Sequence, residues 1–182
     1  VCSSDLISGD LLRGINVSVD GGASLCYIQG EIADRMVENQ KFDEIKKAID
    51  LIRKNGLDAG IGGHKIETIQ TCAERGIIPD FWVKTLHHHN YWSASPKEWH
   101  DNRFCFKPEE TISFMNGLNQ PWIAFKVLAA GALSPRDGFR YAFENGADFI
   151  CVGMYDFQIV EDVNIMHDVF NAGLERKRPW KA

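Results

Sequence analysis

The chain has 182 residues, 45% of them hydrophobic and 25% charged, with a formal net charge of -5, the composition of a globular domain with material for a core. Its charges are interspersed, so it lacks the clustered Lys and Arg that nucleic acid or an anionic membrane would need, and neither is an expected partner. No apolar run approaches the roughly 20 residues that span a bilayer, and the first residues do not read as a signal peptide.

The opening "VCSSDL" (Val1 to Leu6) resembles translated sequencing-adapter remnants at the edges of metagenomic contigs. The expectation is that residues 1–6 are an artefact and that 7–182 form one domain. The native N-terminus would then be missing, which leaves a lost signal peptide open, while the cytoplasm is the favoured compartment. Cys26, Cys72, Cys105 and Cys151 show no CxxC pairing and read as reduced thiols, most of them in the core, with a zinc site or disulfide framework as the lesser reading.

The first predicted strand is "SLCYIQGE" (24–31). Phe42, Ile45, Ile49 and Ile52 then recur at helical spacing before Gly56, which suits the left-handed position after a helix. "LDAGIGGH" (57–64) is the second strand, and Ile66, Ile69 and Ala73 mark a helix ending before Gly76. "DFWVKTLH" (80–87) is the third strand. After it comes a connection from His88 to Lys107 that contains Tyr91, Trp92, Trp99, His100 and Phe104, and a loop of that length in a compact domain suits a lid. Pro108, Glu109 and Glu110 open a helix that runs to Gly117, and "WIAFKVLAA" (122–130) is the fourth strand. Ser134 as N-cap, Pro135 and Asp137 start the next helix, ended by Gly146. "DFICVGM" (148–154) is the fifth strand, and a closing helix covers 159–170.

This βα alternation predicts a parallel sheet covered by helices, either an open doubly wound sheet or a (β/α)8 TIM barrel. The open sheet lacks its GxGxxG fingerprint, and polar residues recur at several strand ends, as barrel enzymes require. A barrel needs about 250 residues, so the expected fold is the C-terminal portion of an N-terminally truncated barrel with about five βα units.

Side chains alternate across a strand. If Phe81, Val83 and Thr85 face the helices, Lys84 points into the barrel; if Ile123, Phe125 and Val127 do, so does Lys126. The same parity sends Asp58, Gly60, Gly62 and His64 inward, the glycines leaving room, together with Tyr27, Gln29 and Glu31. An interior so rich in ionisable groups reads as a site, because a structural barrel is filled by branched apolar layers. The bland alternative is a buried salt bridge of Lys84 with Asp58 or Glu31.

Two ammonium groups sharing a poorly solvated space disfavour full protonation, and a free lysine amine attacks carbonyl carbon to form a Schiff base. "DFWVKTLH" followed by "AFKVLAAGAL" resembles the paired-lysine strands of class I aldolases of the deoxyribose-phosphate aldolase type. That resemblance, over Pro79 to about Met154, implies Lys84 as the imine-forming residue and Lys126 as its electrostatic partner. It departs from the family after "KT", where Leu86, His87, His88 and His89 replace small residues.

Glu31, Asp58 or His64 would move protons. Gln29, His87, His88, Tyr91 and Trp92 would contact substrate, with Trp92 and Trp99 in a lid. "AAGAL" and "ENGADFICVGM" also resemble the phosphate-binding quarter of barrels, with Gly131, Ala132 and Gly153 offering N–H groups to an anion. The expectation is thus a lyase-type enzyme of carbohydrate metabolism without a cofactor, acting on a small carbonyl or sugar-like, phosphorylated molecule, with self-association left open. The first alternative is a sugar isomerase, epimerase or hydrolase holding a divalent metal through His64, His88 and Glu31. The second is a non-catalytic, small-molecule-binding barrel.

Overall fold

A computed structural model describes residues 11–94 and 104–181. Residues 1–6 lie outside the described residues, as do residues 95–103 of the expected lid, Trp99 and His100 among them. The chain divides into two compact units, Val1–Lys84 and Thr85–Ala182. Among the described residues, five strands and seven α-helices follow one another in an α/β arrangement. None of these helices is long and apolar enough to cross a membrane.

The first unit runs α1 (Leu11–Asp20), β1 (Leu25–Ile28), α2 (Gly30–Glu38), α3 (Phe42–Lys54), β2 (Asp58–Gly63), α4 (Ile66–Glu74) and β3 (Phe81–Thr85). β1 pairs with β2 and β2 with β3, all parallel. α3 is the clearest product of pattern: Ile45, Ala48, Ile49 and Ile52 form its buried stripe against β1 and β2. Asp43 and Glu44 in its first turn and Arg53 and Lys54 in its last complement the helix dipole. At the N-terminal ends of the strands, Asp80 accepts from Arg53 and from the Ala59 amide at 2.8 Å.

Neither α1 nor α2 has a counterpart among the expected elements. The first strand stops at Ile28 because the next residue, Gln29, caps α2: its Oε1 accepts the amides of Glu31 and Ile32 at 2.9 and 3.2 Å. A Gly at the helix start and an N-cap outside the usual Ser, Thr, Asp and Asn hide this helix from pattern reading.

The strand parity matches expectation in β1 and β2 and is reversed in β3. Tyr27, Gly60 and Phe81 stand side by side in the register, and a Cβ on Gly60 would come within 2.5 Å of the Phe81 ring and 2.7 Å of the Tyr27 Cβ. Those three share one face. The other face carries Ile28, Ile61 and Trp82, then Gly63 and Lys84. Gly63 looks onto Ile69 of α4 and Asp34 of α2, so Lys84 lies on the helix-covered side. All five residues of β3 are buried, and a strand apolar on both faces carries no alternation from which to read its orientation.

The second unit runs α5 (Pro108–Gly117), β4 (Trp122–Phe125), α6 (Pro135–Glu144), β5 (Phe149–Cys151) and α7 (Ile159–Asn171), with short 3-10 turns at Ala129–Gly131 and Asp156–Gln158. β4 and β5 are parallel. Ser134 caps α6 through the Asp137 amide at 3.2 Å, as its sequence predicts. β4 buries Trp122 and Ala124 and leaves Ile123 and Phe125 half-buried, again the reverse of the expected sets. Asp148 is buried and ion-paired with Arg176 at 3.3 Å and Arg178 at 2.6 Å. Arg178 also donates to the carbonyls of Met115, Leu118 and Gln120, and Arg176 to those of Phe143, Gly146 and Ala147.

Candidate functional site

In the first unit polar groups gather where β2 and β3 end. His64 directly follows β2, and its ring Nδ1 lies 3.2 Å from Asp34 Oδ2. The His64 amide donates to the same oxygen at 3.1 Å, and Thr68 Oγ1 donates to Asp34 Oδ1 at 2.6 Å. Burial pushes the Asp34 carboxyl up, but the hydrogen bonds from the His64 ring, Thr68 and the His64 amide outweigh it and hold the group below the usual carboxylate range. An ionised Asp34 only accepts, so Nδ1 is the nitrogen that donates to it, which leaves Nε2 as the ring's other polar atom. Gly30 lets this ring approach: a Cβ there would sit 3.1 Å from two of its atoms.

Lys84 joins the cluster through the backbone. Its Nζ donates to the His64 carbonyl at 2.8 Å, and the residue is only 1% exposed. The ammonium therefore holds the β2–α4 turn, from which the His64 ring projects.

Three expected members lie elsewhere in this unit. Gln29 uses its side chain as the α2 cap. Glu31 is 60% exposed and paired with Arg35 one turn along α2, so it faces water. Asp58 is exposed at the first position of β2, six residues before His64 and so roughly 20 Å away along an extended strand. Nor do Gly60 and Gly62 leave room for a ligand: the Phe81 ring fills the space over Gly60, and the Gly30 backbone lies 2.9 Å from where a Cβ of Gly62 would be. Asp34 and Thr68 escaped sequence reading. The available signal was a carboxylate four residues after Gly30 on the buried stripe of an unrecognised helix.

In the second unit His87 and His89 clasp one residue. The Cys105 amide donates to His87 Nε2 at 3.2 Å, and the Cys105 carbonyl lies 2.5 Å from His89 Nε2. His87 is fully buried, and with Nε2 accepting, its Nδ1 is the donor toward the His88 carbonyl at 3.2 Å. This histidine is a clasp between the strand end and the far side of the long connection. His88 accepts the Asn90 amide at Nδ1 (3.1 Å) and meets the Tyr141 ring edge-on. Burial pulls its pKa down, Asp137 opposing and His89 adding to the shift. Tyr91 lies beside the His87 and His88 rings, whereas Trp92 is 95% exposed.

A cavity of about 820 Å³ opens at the C-terminal ends of β4 and β5, and Lys126, Gly131, Ala132 and Gly153 all line it. Lys126 follows the last strand residue, with a left-handed φ of 57°, and its Nζ sits 3.6 Å from the centre of the Phe104 ring, within cation–π range. Two of the three expected anion donors are already engaged: Gly131 N–H bonds Leu128 O at 2.9 Å and Ala132 N–H bonds Ala129 O at 3.2 Å, inside the turn itself.

No family model, curated protein or solved structure matches the chain. What these residues can do rests on their geometry. Among the described residues no group of three or more His, Cys, Asp and Glu side chains is placed to hold a metal ion.

Proposed function

We propose that the chain forms part of a (β/α)8 enzyme acting on a small carbonyl-bearing, sugar-like molecule, with His64 moving a proton at the ends of β2 and β3. The Asp34–His64 pair carries this reading. It orients the ring and directs Nε2 from a loop that follows a strand, the position from which barrel enzymes draw catalytic groups.

Lyase-type imine chemistry at Lys84 would use the same proton carrier. The amine attacks the carbonyl carbon, water leaves, and the protonated imine accepts the electron pair of the bond broken at the adjacent carbon. His64 Nε2 would take the proton of the hydroxyl on the departing carbon, which leaves as a carbonyl. In a second reading Lys84 only positions His64. Its place beside Gly63 on the helix-covered face and its 1% exposure favour that role.

Borohydride reduction with a panel of short aldehydes and ketoses, followed by peptide mapping, separates the two. An adduct on Lys84, absent in Lys84→Arg, supports the imine. No adduct, together with solvent deuterium exchange at the carbon next to the carbonyl that is lost in His64→Gln, supports proton transfer with a positioning lysine. Neither signal with any panel member overturns both. Stoichiometric zinc or manganese by elemental analysis would favour the metal-dependent alternative instead.

A further inference from the structure

The cavity at the ends of β4 and β5 contains one group that its surroundings do not explain. Asp162, in the first turn of α7, lines the cavity and is only 4% exposed. Among the described residues no hydrogen bond or ion pair reaches its carboxylate, in contrast to Asp34 and Asp148, each held by several donors. A buried carboxylate without a donor is costly, and such groups in native proteins call for a ligand, water or ion as the partner.

The remaining lining narrows the ligand. Among the described residues that line the cavity, Lys126 and Asp162 are the charged ones, and Val127, Leu128, Leu133 and Met154 provide apolar wall. Two of the amides expected to bind an anion are engaged within their own turn. The backbone at Lys126, Ala129 and Ala130 holds left-handed φ values of 57°, 47° and 56°, which non-glycine residues rarely adopt and which cluster at ligand sites. The volume suits a small organic molecule.

We propose that this cavity binds a small molecule carrying an ammonium at one end and a carboxylate at the other, separated by a short carbon chain. The ammonium meets Asp162 in a charge-assisted hydrogen bond, the carboxylate faces Lys126, and the chain lies along the apolar wall. The proposal does not depend on the chemistry assigned to Lys84 and His64.

Titration calorimetry on the whole chain with 3-aminopropanoate through 6-aminohexanoate, alongside the amine-free acids of the same lengths and inorganic phosphate, tests it. At least one amino acid should bind, at least tenfold more tightly than its amine-free partner. The near-isosteric variant Asp162→Asn should lose at least tenfold of that affinity while keeping the circular dichroism of the parent. Binding of phosphate or the amine-free acids as tight as that of the amino acids, no binding by any member, or unchanged affinity in a folded Asp162→Asn would overturn it. The comparison of amino and amine-free ligands on the unaltered protein decides even if the variant fails to fold.

Discussion

Lys84 stands beside Gly63 in the parallel register of β3 and β2, on the side of the sheet that looks onto α2 and α4. Its Nζ reaches the His64 carbonyl, so the strand's one ammonium bridges two adjacent strand ends. Replacing Lys84 with Met keeps the length and removes the donor. The expected cost is about 1–3 kcal/mol, the usual penalty for a buried carbonyl left without its partner, read as a lower midpoint in urea. Unchanged stability would mean that water or another donor takes over the carbonyl.

Asp34 links stability to pH. Its folded pKa is held below the usual carboxylate value, so the folded state binds this proton less readily than the unfolded chain. The stabilisation is present above the ordinary carboxylate range and is lost as pH falls through the folded pKa. Urea midpoints of the parent and Asp34→Asn should differ most near neutral pH and converge in acid. A gap that stays constant down to pH 2 would contradict the assignment.

His88 should titrate below the ordinary histidine range, because burial disfavours its charged form. The unfolded chain then takes up this proton more readily. The contribution is present above the ordinary histidine value and is lost as pH falls through the folded pKa. The C2 proton of its ring, followed by NMR and assigned with His88→Gln, gives the midpoint directly. A midpoint at or above the ordinary value would show that Asp137, the opposing charge, wins.

Asp148→Ala should be the most damaging single change in the second unit. It removes the counter-charge from Arg176 and Arg178, both nearly inaccessible, and breaking a buried pair typically costs about 3–5 kcal/mol. Asp80→Ala serves as the comparison, since its pair with Arg53 is well exposed and such pairs contribute about 1 kcal/mol or less. Equal losses in thermal denaturation would refute the distinction.

The cysteines should separate by reactivity. Burial pushes the Cys72 thiol up to about 11, and Cys26 and Cys105 are also buried, while Cys151 is exposed. Iodoacetamide at mild alkaline pH should label Cys151 first among these four, and the others only after unfolding, as peptide mass mapping would show.

The helix stripes, the Ser134 cap and the five strand locations were legible in the sequence because each rests on local periodicity or local hydrogen bonding. Strand facing was legible in β1 and β2 but not in β3. In "DFWVKTLH" both alternating sets contain large apolar residues, Phe81 and Val83 in one and Trp82 in the other, and only the register with Gly60 and Gly63 tells them apart. The His64 position was legible from the end of its strand, but Asp34 depends on a helix whose start lacks the usual signals. The three histidines drew attention as chemistry, and two of them hold the backbone of Cys105, a contact spanning a long connection that no local pattern encodes.

The tie between Asp148 and the arginines near the end of the sequence bears on how the protein is made. Carbonyl oxygens of the turns closing α5 and α6, those of Leu118, Gln120, Gly146 and Ala147 among them, accept from Arg176 and Arg178. While a ribosome still holds residues 176 to 178, the carboxylate deep in this half lacks both of its cations, so these contacts can form only after that segment has emerged.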